Sequence, residues 1–406
     1  MNQNMKIVLV VGARPNFMKV APIISAIKRH NSTSKQHIQS ILVHTGQHYD
    51  KMMSDAFYTH HDLPKPDIFI RVGSASQPVQ TAEIMKQFEQ VVIKEKPDLV
   101  MVAGDVNSTV ACALVASKIS YDSNGKRPLI AHVEAGLRSL DRTMPEEINR
   151  ILTDHISDFL FITEESGIKN LKKEGISEDK IFFVGNTMID TLYAFRNVAD
   201  KSQILRRLGL KNNTHNKNSK KQNSVVSYAL LTLHRPSNVD NDHVFSNIIH
   251  AMKEVGKDLR ILFPAHPRTQ NRIKEFGLQY HFEYIDTDRH NKNKNIILSD
   301  NKINLISPLG YIDFLCLMKN AKMVLTDSGG IQEETTCLGI PCVTLRENTE
   351  RPVTITQGTN VLAGIDKDQI IKTSNEQLQK KFKKNIPKFW DGKAAERIIK
   401  IISKVK

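Results

Sequence analysis

Short aliphatic runs alternate with longer segments of helical period along most of this chain. The run from Lys6 to Val11 is followed by a polar turn and an amphipathic stretch from Asn16 to about Arg29. Strands covered on both faces read as unbroken apolar runs, and apolar residues three or four apart read as helix faces. By these rules strands are predicted at Ile38–His44, Asp98–Ala103, Pro128–Val133, Phe159–Thr163 and Ile181–Gly185. Helices are predicted between them at Gln77–Lys94, Val110–Ile119 and Glu146–His155. The pattern pauses over 197–225, then resumes with strands at Ser227–Leu233, Leu259–Phe263, Ile303–Ile306, Met323–Thr326 and Cys342–Leu345. Alternation of this kind implies βαβ crossovers and mostly parallel sheets. The expectation is an α/β chain of two domains facing across a cleft, 1–187 and 188–391, with a last helical segment near Ala394–Lys404.

In open α/β sheets ligands lie outside the carboxyl ends of the strands. The residues just after the predicted strands are unusually polar: Arg14, Asp105, Glu134, His234, His266 and Asp327-Ser328-Gly329-Gly330. A helix opening on Ser328, Gly329 and Gly330 presents free N–H groups and a positive dipole end to an anion. Glu334, one turn further in, suits ribose hydroxyls; the plainer alternative is a turn with Ser328 as its N-cap. Arg14 and Lys19 flank the first strand's end and can reach an anion, Arg14 through its planar fork. Three acids, Asp105, Glu134 and Glu146, can share base, acid and cation-stabilising work. Each has a structural alternative: Asp105 capping the helix near Asn107, Glu146 favouring a helix start, Glu134 pairing with Arg138. His234 can carry a proton or bind a phosphate. No G-x-x-x-x-G-K-[ST] and no G-x-G-x-x-G after a strand occurs, so neither fingerprint is supported.

Composition narrows the partners. Lys plus Arg number 57 against 43 Asp plus Glu, a net +14. Much of the surplus lies in two Asn/Lys-rich stretches around 211–223 and 289–295, which lack aromatics, and in the tail 380–384, with the single aromatic Phe382. These read as solvated loops, and nucleic acid is not an expected partner. No apolar run approaches the ~18 residues of a membrane span, so no membrane association is expected. Cys112, Cys316, Cys337 and Cys342 show no C-x-x-C spacing, and no H-E-x-x-H occurs. Reduced thiols in a cytoplasmic protein without a metal centre are the expectation.

The motifs together resemble the non-hydrolysing UDP-N-acetylglucosamine 2-epimerases. The matching blocks are Gly12 to Lys19, His44 to Asp50, Gly104 to Thr109, His132 to Arg138, Met144 to Arg150, Gly185 to Asp190, Thr232 to Pro236, Asp327 to Glu334 and Thr349 to Pro352. The resemblance implies a GT-B-like pair of Rossmann-like domains, with a C-terminal helix (about 392–406) returning to the first. It implies a homodimer acting on a UDP-sugar without metal or nicotinamide cofactor. By motif, Asp105, Glu134, Glu146 and His234 fall at catalytic positions. Arg14, Lys19, Phe314, Ser328, Gly329, Gly330, Glu334 and Arg351 fall at substrate-binding ones. Gln47, His48 and His266 are candidates for contact with a second, activating substrate molecule. The implied reaction interconverts UDP-N-acetylglucosamine and UDP-N-acetylmannosamine by anti elimination of UDP to 2-acetamidoglucal and re-addition, supplying precursor for cell-surface polysaccharide. Alternatives are epimerisation of a related UDP-diacetamido-uronic acid, a GT-B glycosyltransferase, and a UDP-sugar-binding regulator without turnover.

Overall fold

The computed structural model describes residues 4–47, 65–73, 75–211, 225–286, 298–382 and 385–405. The chain divides into two compact units, Met1–Leu192 with Pro387–Lys406, and Tyr193–Ile386. The first break therefore falls within a helix, Thr187–Ala199, and the chain rejoins the first unit at Pro387.

In the first unit, β1 (Met5–Val11) pairs on one side with β2 (Ile38–His44), which carries β3 (Ile68–Phe69). On its other side stand β4 (Leu99–Ala103), β5 (Leu129–Ala135), β6 (Phe159–Ile162) and β7 (Ile181–Phe183). All pairings are parallel. Side-chain alternation on β1 divides the core. Ile7, Leu9 and Val11 pack with helix Arg14–Thr33 and the C-terminal helix Ala394–Ile402, while Val8 and Val10 pack with helices Gln77–Glu95 and Asn107–Lys118. The single tryptophan fastens the returning segment: Trp390 is fully buried and its indole N–H donates to the Thr163 carbonyl at 2.8 Å. Asp190 accepts from the Ala394 and Ala395 amides at 3.1 and 2.7 Å, and so caps the last helix.

The second unit repeats the plan. Its sheet runs β10 (Phe282–Ile285), β11 (Ile303–Ile306), β9 (Arg260–Pro264), β8 (Tyr228–Thr232), β12 (Met323–Thr326), β13 (Cys342–Thr344), β14 (Asn360–Leu362), again all parallel. The protein is thus α/β, with two Rossmann-like units of the GT-B-like class. Strands β3, β10 and β14 go beyond the sequence expectation, and all three are edge strands. The first helix begins at Arg14 rather than Asn16, because Pro15 lies in its first turn, where its missing N–H costs nothing. In each sheet two adjacent central strands send their following connections to opposite sides, β1 and β4 in the first and β8 and β12 in the second. These switch points are where such sheets open a crevice for ligands.

Candidate active site at the two switch points

In the first unit the switch point is flanked by the predicted acids. Gly104 follows β4 with φ +71°, a conformation that favours glycine. A side chain there would also meet Lys19 Nζ at 2.8 Å. This turn delivers Asp105, whose Oδ2 receives Arg150 Nη2 at 2.6 Å and Nε at 3.0 Å. Glu134 lies at an irregularity near the end of β5, with φ +73°, an uncommon conformation for a residue with a side chain. Its Oε2 forms a buried ion pair with Lys19 Nζ at 2.6 Å. Strain of this kind persists where the surroundings over-determine it. Arg14 opens the helix after β1, and Glu146 lies half-buried in the first turn of helix Pro145–Ile156.

Neither structural alternative for Asp105 and Glu134 is realised. Helix Asn107–Lys118 has Val106 as N-cap, and Arg138 pairs with Asp154 and Glu174, both at 2.7 Å. The neighbour of Glu146 was not anticipated. Glu147 is fully buried, accepts from Ser139 N at 3.0 Å and Leu140 N at 2.9 Å, and binds Arg150 Nη1 at 2.5 Å. Arg150 thereby links Glu147 to Asp105. Behind this layer His132 and Asp154 form a wholly buried pair, Nδ1 to Oδ1, at 2.6 Å. Burial pushes the Asp154 carboxyl up, but His132 and Arg138 outweigh it and hold its pKa below the ordinary value.

In the second unit His234 lies two residues after β8, and Asp327 directly follows β12. The His234 ring is open to solvent, 60% accessible, and its Nδ1 sits 2.8 Å from the wholly buried Asp327 Oδ1. That negative charge raises the His234 pKa. Asp327 also accepts from the His234 and Arg235 amides, both at 3.0 Å. Helix Gly329–Leu338 begins beside this pair with Ser328 as N-cap, yet the Ser328 side chain makes no capping bond. The turn's N–H groups are therefore not closed off by that hydroxyl. A side chain at Gly329 would meet Glu350 Oε1 at 2.6 Å. Glu350 in turn holds Arg346 Nη2 at 2.9 Å and Arg235 Nη2 at 3.4 Å. Arg235, Arg346 and Glu350 were not singled out in the sequence; the cue was their position after strand ends.

Other candidates fall where packing dominates. Glu334 is buried and accepts from the Tyr311 hydroxyl at 2.6 Å, and burial lifts its pKa to about 7. Arg351 is buried against Glu333, 2.5 Å away. Phe314 is half-buried in helix Tyr311–Asn320. Gln47 Oε1 accepts from Ser108 N and Oγ at 2.9 and 2.7 Å. His266 is exposed and caps helix Pro267–Glu275, with Nδ1 accepting from Arg268 N. His48 lies outside the described residues. Among the described residues no group of His, Cys, Asp and Glu could hold a metal ion, and no helix is long and apolar enough to cross a membrane.

Comparison with known proteins gives this constellation a family. The family model described as UDP-N-acetylglucosamine 2-epimerase matches residues 30–403. The chain belongs to that family. A UDP-N-acetylglucosamine 2-epimerase of Methanocaldococcus jannaschii is 43% identical over 404 residues, 98% of this chain and 99% of that protein. A crystal structure of the Methanocaldococcus jannaschii UDP-GlcNAc 2-epimerase with UDP-GlcNAc and UDP superposes with TM-score 0.82 at 41% identity, covering 99% of this chain and 100% of the other. A UDP-2,3-diacetamido-2,3-dideoxy-D-glucuronate 2-epimerase of Pseudomonas aeruginosa is 36% identical over 404 residues, 99% of this chain and all of that protein. The epimerase family thus spans at least two sugars; at its two switch points this chain carries carboxylates in one unit, and the His234–Asp327 pair beside a helix N-terminus in the other.

Proposed function

We propose that this chain interconverts UDP-N-acetylglucosamine and UDP-N-acetylmannosamine. The observation that carries the reading is the 43% identity, over 98% of this chain, to a UDP-N-acetylglucosamine 2-epimerase; the carboxylates at one switch point and the His234–Asp327 pair at the other support it. Carbon 2 of the sugar is not beside a carbonyl, so its proton cannot leave from the ground state. When the bond from carbon 1 to the UDP oxygen breaks, its electron pair leaves on the diphosphate and carbon 1 becomes cationic. A carboxylate then takes the carbon 2 proton, and the C–H pair becomes the C1=C2 bond of 2-acetamidoglucal. Return of a proton to the opposite face of carbon 2 and attack of UDP on carbon 1 complete the epimerisation.

Each step asks for groups that these sheets present. The departing diphosphate needs preorganised positive charge and N–H donors, and His234, Arg14 and the Ser328-Gly329-Gly330 turn suit it. The sugar faces need acids and bases held in place, and Asp105, Glu134 and Glu146 suit them. Lys19 and Arg150 fix the first two carboxylates by direct ion pairs. Phe314, Glu334 and Arg351 complete the nucleoside side of the reading, with Arg351 acting through Glu333. In the same reading Gln47, His48 and His266 contact an activating second substrate molecule. The protein works as a homodimer in the cytoplasm, serving cell-surface polysaccharide synthesis.

Incubation with UDP-N-acetylglucosamine alone, in heavy water, tests this. The expected product is UDP-N-acetylmannosamine carrying deuterium at carbon 2. The 36% identity to the diacetamido-uronate enzyme favours one rival. An unchanged sugar, together with turnover of the UDP-diacetamido-uronic acid, would select that rival. Turnover that requires an added acceptor would select a transferase.

A further inference from the structure

Behind the two acids of the first unit lies a buried charged group that the elimination leaves unused. His132 is wholly buried in β5. Its Nε2 stands 2.8 Å from the Gly104 carbonyl oxygen, and its Nδ1 stands 2.6 Å from Asp154 Oδ1. A carbonyl oxygen only accepts, so Nε2 carries a hydrogen. Asp154 is already committed as an anion: its Oδ2 accepts from Gly136 N at 3.1 Å and pairs with Arg138 Nη2 at 2.7 Å. An ionised carboxylate only accepts, so Nδ1 carries a hydrogen as well.

We infer that His132 is held as an imidazolium whose two N–H groups tie the turn bearing Asp105 to the strand end bearing Glu134, making His132 a positioning residue for both acids. The inference rests on the roles proposed above for those acids. Three features converge on it. Against an ionised Asp154, a neutral ring could make only one of the two bonds, and would aim a lone pair at an oxygen in the other. Charge balances in this state: His132 and Arg138 face Asp154 and Glu174, two cations against two anions. Finally, Asp154 grips the chain on both sides of Glu134. It binds the His132 side chain two residues before Glu134 and the Gly136 amide two residues after. The positive φ of Glu134 is held between these two anchors, while Gly104, the other acceptor, directly precedes Asp105.

The test has two arms on the full chain. With 15N-labelled histidine at neutral pH, His132 should show two protected ring N–H protons, both absent from the His132→Gln variant. One ring proton in the wild type would overturn the assignment. In the second arm, His132→Gln keeps a donor toward Gly104 but aims an oxygen toward Asp154. A displacement of about 1 Å at a reacting group costs roughly 10²-fold in rate, so kcat should fall by about that much with KM and UDP affinity nearly unchanged. Wild-type kcat, or a kcat loss matched by loss of UDP affinity, would overturn positioning of the acids. If His132→Gln does not fold, the wild-type spectrum still decides the protonation state. If the wild type fails to epimerise any UDP-sugar, the proposed function falls while the two-proton signature stands or falls by itself.

Discussion

Replacing Asp327 by asparagine removes one charge and almost no volume, and so isolates what that buried carboxylate does for His234. Asp327 has no exposure and gathers four donors on two oxygens: the His234 and Arg235 amides at 3.0 Å, Asn238 Nδ2 at 3.3 Å and His234 Nδ1 at 2.8 Å. An asparagine must turn its NH2 toward some of them. At the Oδ2 position it would face the Arg235 and Asn238 N–H groups, donor against donor. At the Oδ1 position it would face chiefly the His234 ring, which can give up its Nδ1 proton and accept. The second orientation costs less, so the variant should carry a neutral His234. The lost charge-assisted bond is of the class worth ~1.5–3 kcal/mol. Because the His234 side chain is 60% accessible, solvent screening brings the expected loss of stability to about 1–2 kcal/mol.

The pH dependence follows from two opposite shifts. The His234 pKa is raised above its ordinary 6.5 by Asp327, so its contribution is complete below 6.5 and is lost as pH rises through the raised value. The Asp327 pKa is held below its ordinary 3.8 despite burial, so its contribution is complete above 3.8 and is lost as pH falls through the lowered value. The stability gap between wild type and Asp327→Asn should therefore be widest between 3.8 and 6.5 and narrow on either side. Turnover should fall by about 10²–10³, the usual effect of losing one transition-state donor. The alkaline limb of its pH–rate profile should also begin at lower pH than in the wild type. Initial rates of UDP-N-acetylglucosamine epimerisation across this range, with melting curves in the same buffers, supply both readings. A variant with the wild-type rate and an unmoved alkaline limb would refute the claim that Asp327 keeps His234 cationic.

Two further substitutions probe the second unit. Gly329→Ala places a methyl 2.6 Å from Glu350 Oε1 and must displace the carboxylate that holds Arg346 and Arg235. Overpacking of this kind costs ~1–3 kcal/mol, and titration calorimetry should show UDP binding weakened about tenfold, or ~1.4 kcal/mol; unchanged affinity would mean that this network does not serve the nucleotide. Glu334→Gln removes a carboxyl whose pKa burial lifts from 4.5 to about 7. The folded wild type holds that proton over a range where the unfolded chain has lost it, so its stability falls as pH rises through the window and is level above it. Glutamine still accepts from Tyr311, and its advantage should grow across the window toward an upper limit of ~3 kcal/mol; parallel melting curves for the two proteins would refute the shift.

What could be read from the chain, and what could not, divides along physical lines. Central strands such as β4, every residue of which is buried, appear as unbroken aliphatic runs because both faces are covered. The strands that escaped notice are edges: β3 has only two residues, Ile68 half-buried and Phe69 exposed, β10 exposes Glu283 and Tyr284, and β14 has three residues. With one flank unpaired and little burial, they leave no run to recognise. Candidate site residues could be picked out as far as they follow strand ends, because in each parallel sheet the topology gathers those ends along one edge. Their partners could not. Glu134 passes over Arg138, one helical turn away in sequence spacing, for Lys19 on the first helix, and Asp105 passes over the adjacent helix start for Arg150. Helix Pro145–Ile156 shows why. Its buried face is Glu147, Asn149, Arg150, Thr153 and Asp154. Those residues have helical spacing, but every one is polar, so a search for an apolar stripe assigns them to solvent. A buried stripe of this kind is unfavourable unless each charge meets its complement. Here Glu147 and Asp105 meet Arg150, and Asp154 meets His132 and Arg138. The polar stripe is therefore paired charge by charge, and through Arg150 and His132 it reaches Asp105 and the Gly104 turn that precedes it, the neighbourhood to which the proposed function assigns the sugar.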